Sequence, residues 1–271
     1  MKYLADSWKR WLVWLLLATM FAIACVFLSE WQFSRRQEKV TYFAIMERNY
    51  DSAPVALDAV VPSIGRFEVD SAWRQVSLEG HYLADRSLLV RNRPYEGAPG
   101  FLQLTPFELD SGRVIFIERG WLPTGSAQDS PDSIPAVTSE HRTVIARLRV
   151  AEASSGRDAP AGQVAELYLP AAAKAADVAA GTYYRAVYGR LVSEVPPSAE
   201  YAQAMPRPEV NEGNHLSYAI QWIVFGVLGF LTLWFAVRQE IHFKRLATDA
   251  SYVPKKKRVT RADLDAQAED R

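Results

Sequence analysis

The side chains of this 271-residue chain best suited to ligation or nucleophilic attack are four histidines, His81, His141, His215 and His242, and one cysteine, Cys25. The histidines lie far apart in the sequence. A single cysteine excludes an internal disulfide and the Cys₄ and Cys₂His₂ zinc sites. No HExxH, GxSxG, GxGxxG or P-loop string occurs. His215 stands out because Tyr218 and Trp222 lie beside it at the start of an apolar run. On these residues alone, an interfacial histidine bonded to headgroups or backbone is the favoured reading. Arg91 and Arg93 flank Asn92, and strand alternation puts both on one face. Such a pair suits bidentate binding of carboxylates, although intramolecular ion pairs or a solvated face are the commoner outcome. Arg119-Gly120-Trp121 closes an apolar strand. A β-bulge is expected there, with glycine making the turn, tryptophan on the sheet and arginine paired with an acid. Sequence spacing leaves open a carboxylate pair among the acids between the apolar segments, and with it an exported, membrane-anchored enzyme. A Ser–Lys dyad has little to draw on, since only Lys39 and Lys174 lie in that region.

Two apolar segments must position these groups. Trp11–Leu28, WLVWLLLATMFAIACVFL, carries no charge across 18 residues, and Ala219–Val237, AIQWIVFGVLGFLTLWFAV, has Gln221 as its one strongly polar side chain. Both are close to the roughly 20 residues that cross a bilayer. Trp8, Trp11, Trp14, Trp31, Trp222 and Trp234 sit near the segment ends, where indole rings favour the headgroup level. Lys+Arg and Asp+Glu are equal at 31 each, but they are unevenly placed. Arg238–Arg261 holds eight positive residues against Glu240 and Asp249, while Trp31–Asn214 holds 19 positive and 23 negative residues. The positive-inside rule then places both termini in the cytoplasm. Arg35, Arg36 and Lys39 run against that rule, but long loops translocate despite such charges. The KKKR run at 255–258 reads as a hold on the cytoplasmic membrane face, and no nucleic-acid partner is implied. Cleavage after Ala22-Ile23-Ala24 is disfavoured because apolar residues continue to Leu28.

The expected organisation is an α+β membrane protein. A cytoplasmic N-terminus covers 1–10, a transmembrane helix 11–28, an extracytoplasmic antiparallel β-rich domain 29–214, a second transmembrane helix 215–237 and a basic cytoplasmic tail 238–271. Within the domain, Val40, Phe43, Met46 and Tyr50 recur at helical spacing and continue the first helix. Strands are expected at 73–82, 87–92, 101–109, 113–119, 143–150, 165–169 and 183–192. Asp110-Ser111-Gly112 is a hairpin turn. A helix starts at Pro170, runs through AAAKAADVAA and stops at Gly181. Periodicity alone does not choose between a barrel and a sandwich.

Four stretches together carry a resemblance. They are LSEWQFSRRQEK at 28–39, VRNRPYEGAPGFLQLTPFEL at 90–109, VIFIERGWLP at 114–123 and NHLSYAIQW at 214–222. In order, spacing and two-span topology the chain resembles the surfeit locus protein 1 family of cytochrome c oxidase biogenesis factors. It departs from the family pattern at Ser29 and Glu30, at Glu118 and around 157–169. The resemblance implies a non-enzymatic assembly factor at the cell membrane. It would hold haem a, or stabilise the haem-receiving oxidase subunit, during maturation. It implies oxidase subunits, the lipid bilayer and a haem a synthase as partners. It also makes His215 the cofactor-binding residue and axial ligand to haem iron, a usual role for a neutral imidazole.

Overall fold

A computed structural model describes residues 7–127 and 129–248. The chain forms two compact units, one from residues up to Lys39 together with those from Glu212 onward, the other from Val40–Asn211.

The first unit is a pair of helices. Helix α1 spans Trp8–Asn49 and α4, the last, spans His215–Thr248. Each is long and apolar enough to cross a membrane. Leu16, Phe27, Val227 and Leu231 point outward, as expected of helices that meet hydrocarbon on most sides. At about 1.5 Å per residue, α1 is roughly 63 Å long, twice the hydrocarbon thickness, so it continues past the span as the spacing of Val40 to Tyr50 requires. Gly226 and Gly229 lie where the two helices touch, with room for a methyl group at ordinary van der Waals distance. A methyl group on Gly226 would lie 3.6 Å from Cys25 Cβ, and one on Gly229 would lie 3.4 Å from Phe21. Ser29 Oγ donates to the Ala219 carbonyl at 3.0 Å. In lipid there is no hydrophobic drive between helices, so van der Waals packing and such hydrogen bonds hold them together.

The second unit is a small barrel. Its elements after α1 are β1 (Val55–Ala56), α2 (Leu57–Val60), β2 (Gln75–Tyr82), β3 (Leu88–Val90), β4 (Gly100–Leu109), β5 (Val114–Pro123), β6 (His141–Val150), β7 (Gln163–Val164), α3 (Leu169–Ala175) and β8 (Val187–Val195). The ladder runs β2–β6–β8–β5–β4 and closes because β4 also pairs with β2. That settles barrel against sandwich. Pairing is mostly antiparallel, but β5 and β8 are parallel, as are β1 with β2 and β3 with β7. Closure is tightest at Gly80, opposite Leu109 on one side and Arg142 on the other. A Cβ there would lie 2.0 Å from the Glu108 carbonyl oxygen.

Inward positions alternate as the strands predict. Val76, Leu78, Tyr82, Phe107, Ile115, Ile117, Val144, Ala146 and Leu148 share one buried cluster, each fully buried side chain of this size contributing about 1.5–3 kcal/mol. The outer faces of β4 and β5 are buried as well, under β3, β7 and α3, in a second cluster that includes Leu102, Leu104, Phe116 and Trp121. The C-terminal end of α1 adds Ile45 and Met46 to Ala72 and Trp73. The polar face of β6 is not solvated: the Arg147 and Arg149 guanidiniums lie 3.8 Å from the Tyr50 ring centre and 3.6 Å from that of Trp73.

Three expected elements differ. The alanine-rich helix ends at Ala175, not at Gly181. Asp177 takes the left-handed conformation at φ 51°, and the Val178 N–H bonds the Ala173 carbonyl at 2.8 Å, a Schellman closure that turns Val178 into the core. The run 165–169 is not a strand: β7 covers only Gln163–Val164, and Leu169 begins α3. The last strand is shifted, for Tyr183 makes one bridge to Val114 and the continuous ladder starts at Val187.

Candidate functional site

His215 is the first residue of α4. Its Nδ1 lies 2.7 Å from the Gln32 Oε1 of α1. The first and fourth of the motifs read from the sequence therefore meet at one point, 183 residues apart. His215 itself is part-buried, Trp222 is half-buried, and Trp31 and Tyr218 are exposed. Three cations lie on α1 within two turns of Gln32. Arg36 pairs with Glu212 at 2.8 Å, Arg35 with Glu38 at 2.8 Å, and the Lys39 ammonium lies close to Gly213. The imidazole is a single potential ligand. Among the described residues, no three His, Cys, Asp or Glu side chains gather as a metal site.

His81 and His141 are ordinary surface pairs. His81 lies 3.5 Å from Glu108 and His141 3.1 Å from Asp110, all substantially exposed.

The remaining arginines of the motifs are occupied within the barrel unit. Arg91 bonds Gln163 Oε1 at 2.6 Å and pairs with Asp129. Arg93 holds both oxygens of Glu152, at 2.7 and 2.6 Å. Hydrogen bonds from Arg93 hold the Glu152 carboxyl below the usual carboxylate range, against the opposing push of partial burial, with help from the Leu167 N–H. Both arginines thus form the intramolecular pairs expected as the commoner outcome. Trp121, next to them, donates its indole N–H to the Arg93 carbonyl at 2.6 Å.

The bulge at Arg119 is present. Gln103 faces Gly120 and Leu104 faces Glu118, which leaves Arg119 as the extra residue. A Cβ on Gly120, at φ 138°, would lie 2.6 Å from the Gln203 carbonyl, so only glycine lets that segment pair with Trp121. The bulge turns Arg119 inward, where its Nη2 lies 3.3 Å from Glu194 and 2.9 Å from Ser198. Arg142 shares the same carboxylate at 3.3 Å, and Tyr82 donates its hydroxyl to it at 2.9 Å. Burial pushes the Glu194 carboxyl up. Hydrogen bonds from Ser198 and Tyr82 and the two guanidiniums outweigh that push and leave it below the usual range. Tyr82 is driven far above the ordinary phenol value, first by burial and then by the Glu194 charge. Glu118, the other fully buried acid of the barrel wall, is paired with Arg190 at 2.9 Å. Carboxylates held in such ion pairs are poorly placed as proton donors.

Sequence reasoning expected an acid for Arg119 but did not find Glu194, Ser198 or Arg142. One signal was available for Arg142, which has the same parity as Val144, Ala146 and Leu148 on β6 and so had to point into the core. Nothing in the sequence singles out Gln32 beyond its place in the first motif.

Residues 19–227 match the model of the SURF1 family. The chain belongs to the SURF1 family. An uncharacterised SURF1-like protein of Mycobacterium tuberculosis is 28% identical over 260 residues, covering 91% of this chain and 90% of that protein. Surfeit locus protein 1 of Arabidopsis thaliana is 24% identical over 271 residues, covering 80% of this chain and 74% of that protein. The cytochrome oxidase assembly protein SHY1 of Saccharomyces cerevisiae is 29% identical over 144 residues, which is 50% of this chain and 36% of that protein. The SURF1 match takes in all four motifs, the helix-pair contacts Gln32–His215 and Ser29–Ala219, and the whole barrel.

Proposed function

We propose that this chain is a membrane-bound assembly factor for a haem–copper cytochrome c oxidase, and that it holds haem a at His215 during maturation. The observation that carries the assembly role is membership of the SURF1 family together with similarity to a yeast protein named for cytochrome oxidase assembly. The donor set at His215 fits a haem held for a time. An imidazole with its Nδ1 engaged keeps Nε2 for iron, and Tyr218 and Trp222 follow His215 on the same helix, one and two turns on. One histidine is a weak anchor, suited to release as well as capture. The bound group would supply the iron. This chain supplies the axial imidazole, the apolar setting and neighbouring cations of the kind that meet propionates. Glu118 and Glu194, the two acids buried in the barrel wall, are locked in ion pairs. The partners are the oxidase subunits, the bilayer and a haem a synthase, with both termini in the cytoplasm.

Deleting the gene should lower the amount or haem content of an aa₃-type oxidase while haem a synthesis continues. Fully haemylated, fully active oxidase in the deletion strain under all growth conditions would refute the role. In the purified protein, His215→Ala should abolish the imidazole-ligated haem spectrum. His81→Ala, His141→Ala and His242→Ala should leave it unchanged. A normal spectrum from the His215 variant would return this residue to an interfacial role and leave a scaffold without ligand.

A further inference from the structure

We infer that Gln32 is a positioning residue for His215, fixing the ring so that Nδ1 carries the proton and Nε2 faces the ligand; the inference rests on the haem reading above. The bond is short, 2.7 Å, and the glutamine presents its oxygen. An amide oxygen only accepts, so with this orientation of Gln32 the facing ring nitrogen is the donor. Nε2 then keeps its lone pair. That choice matters sterically. Nδ1 lies next to the residue's own backbone, where a large planar group meets the helix, whereas Nε2 is on the far side of the ring, toward Gly213, 3.7 Å from where a Cβ on that glycine would lie. An unconstrained histidine favours the opposite tautomer, with the proton on Nε2.

The placement is not an isolated rotamer. Gln32 and Ser29 are one helical turn apart on α1, as are His215 and Ala219 on α4. Ser29 bonds Ala219 at 3.0 Å and Gln32 bonds His215 at 2.7 Å, so the two contacts are successive rungs between antiparallel helices. Below them, Cys25 and Phe21 meet Gly226 and Gly229, which fixes the same register. The ring is therefore aimed by a partner held on a second rigid element, the arrangement that orients a ligating histidine and raises its basicity.

The test uses the full-length protein in detergent, with ¹⁵N-labelled histidine, before and after titration with haem a. In the haem-free wild type the His215 nitrogen shifts should report the Nδ1–H tautomer. Gln32→Leu should move the ring toward Nε2–H and weaken haem a binding by roughly 10–100-fold. Gln32→Glu keeps an acceptor and should restore both. In a His215→Ala background, Gln32→Leu should change haem binding no further. Ser29→Ala removes the neighbouring rung alone and should leave the tautomer intact, which separates aiming the ring from tying the helices. If Gln32→Leu does not fold, the wild-type tautomer still decides: Nε2–H in the wild type overturns the inference. So does an unchanged tautomer in Gln32→Leu. Should the protein take no haem a while His215 is Nδ1–H and shifts with Gln32→Leu, the positioning stands and the haem reading fails.

Discussion

Arg119 and Arg142 bring two positive charges to one carboxylate in the barrel wall, and all three side chains are at most 1% exposed. Removing the carboxylate leaves two buried positive charges without a buried counter-charge at their centre, although Arg142 keeps the Pro196 carbonyl, Ser198 and Thr138 and Arg119 keeps Ser198 as hydrogen-bond acceptors. Glu194→Ala should cost about 3–5 kcal/mol, the usual penalty for breaking a buried pair from one side, read as a lower urea midpoint for unfolding. The same group links stability to pH. Its folded pKa lies below the ordinary value, so its contribution is complete above about pH 4.3 and is lost as pH falls through the folded pKa. Urea midpoints from pH 7 to pH 3 should fall at the acid end, and Glu194→Gln should flatten part of that fall. An identical acid slope in the variant would assign the loss to other carboxylates, such as Glu152. Single residues were legible in the sequence where a strand's alternation gave them a side. Trp121 and Arg119 followed from the bulge. Gln32 did not, because a polar side chain on a helix has no parity to violate and its partner is 183 residues away.

Gly80 shows what the barrel asks of one element. It sits where β2 is paired on both edges, with β4 and β6, and a methyl group would overlap the Glu108 carbonyl at 2.0 Å. Gly80→Ala must displace backbone and should cost more than about 2 kcal/mol. Gly97 also has positive φ, but a methyl group placed on it would meet nothing within 4 Å, so Gly97→Ala should cost only about 1 kcal/mol of backbone strain. Equal unfolding midpoints for the two variants would show that closure is looser than these contacts imply. Alternation revealed most of the strands because the barrel interior fills from one face of each. β4 and β5 are buried on both faces and still read as strands through their β-branched and aromatic content. The parallel β5–β8 pairing was not legible, since nothing local encodes a partner 72 residues on, as Arg190 is from Glu118. The early stop of α3 was missed for a different reason. Helix propensity favoured continuing to Gly181, but burial of Val178 favoured closing at Asp177.

At the scale of the chain, the helix pair constrains topology without reference to charge. At one end Ser7 donates to Glu240 at 2.8 Å, Arg10 pairs with Glu240, and Lys244 meets it at 2.9 Å. At the other end Gln32 meets His215. The helices are antiparallel, so the start of α1 and the end of α4 emerge on the same side of a bilayer, and the chain between Gln32 and His215 leaves on the other. The proposed topology takes the side from charge. Residues beyond Thr248 lie outside the described structure, but their sequence holds the KKKR run at 255–258, and cationic segments of this kind stay in the cytoplasm. Arg35 and Arg36 favour the reverse, but they head a long loop, and long loops translocate largely regardless of charge. A reporter active only outside the cytoplasm should be silent when fused after Arg271 and active when inserted near Gly125. The inverted pattern would keep the antiparallel pair and overturn the charge argument. Opposite sides for the two termini would mean that the Glu240 and Gln32 contacts do not form in the membrane.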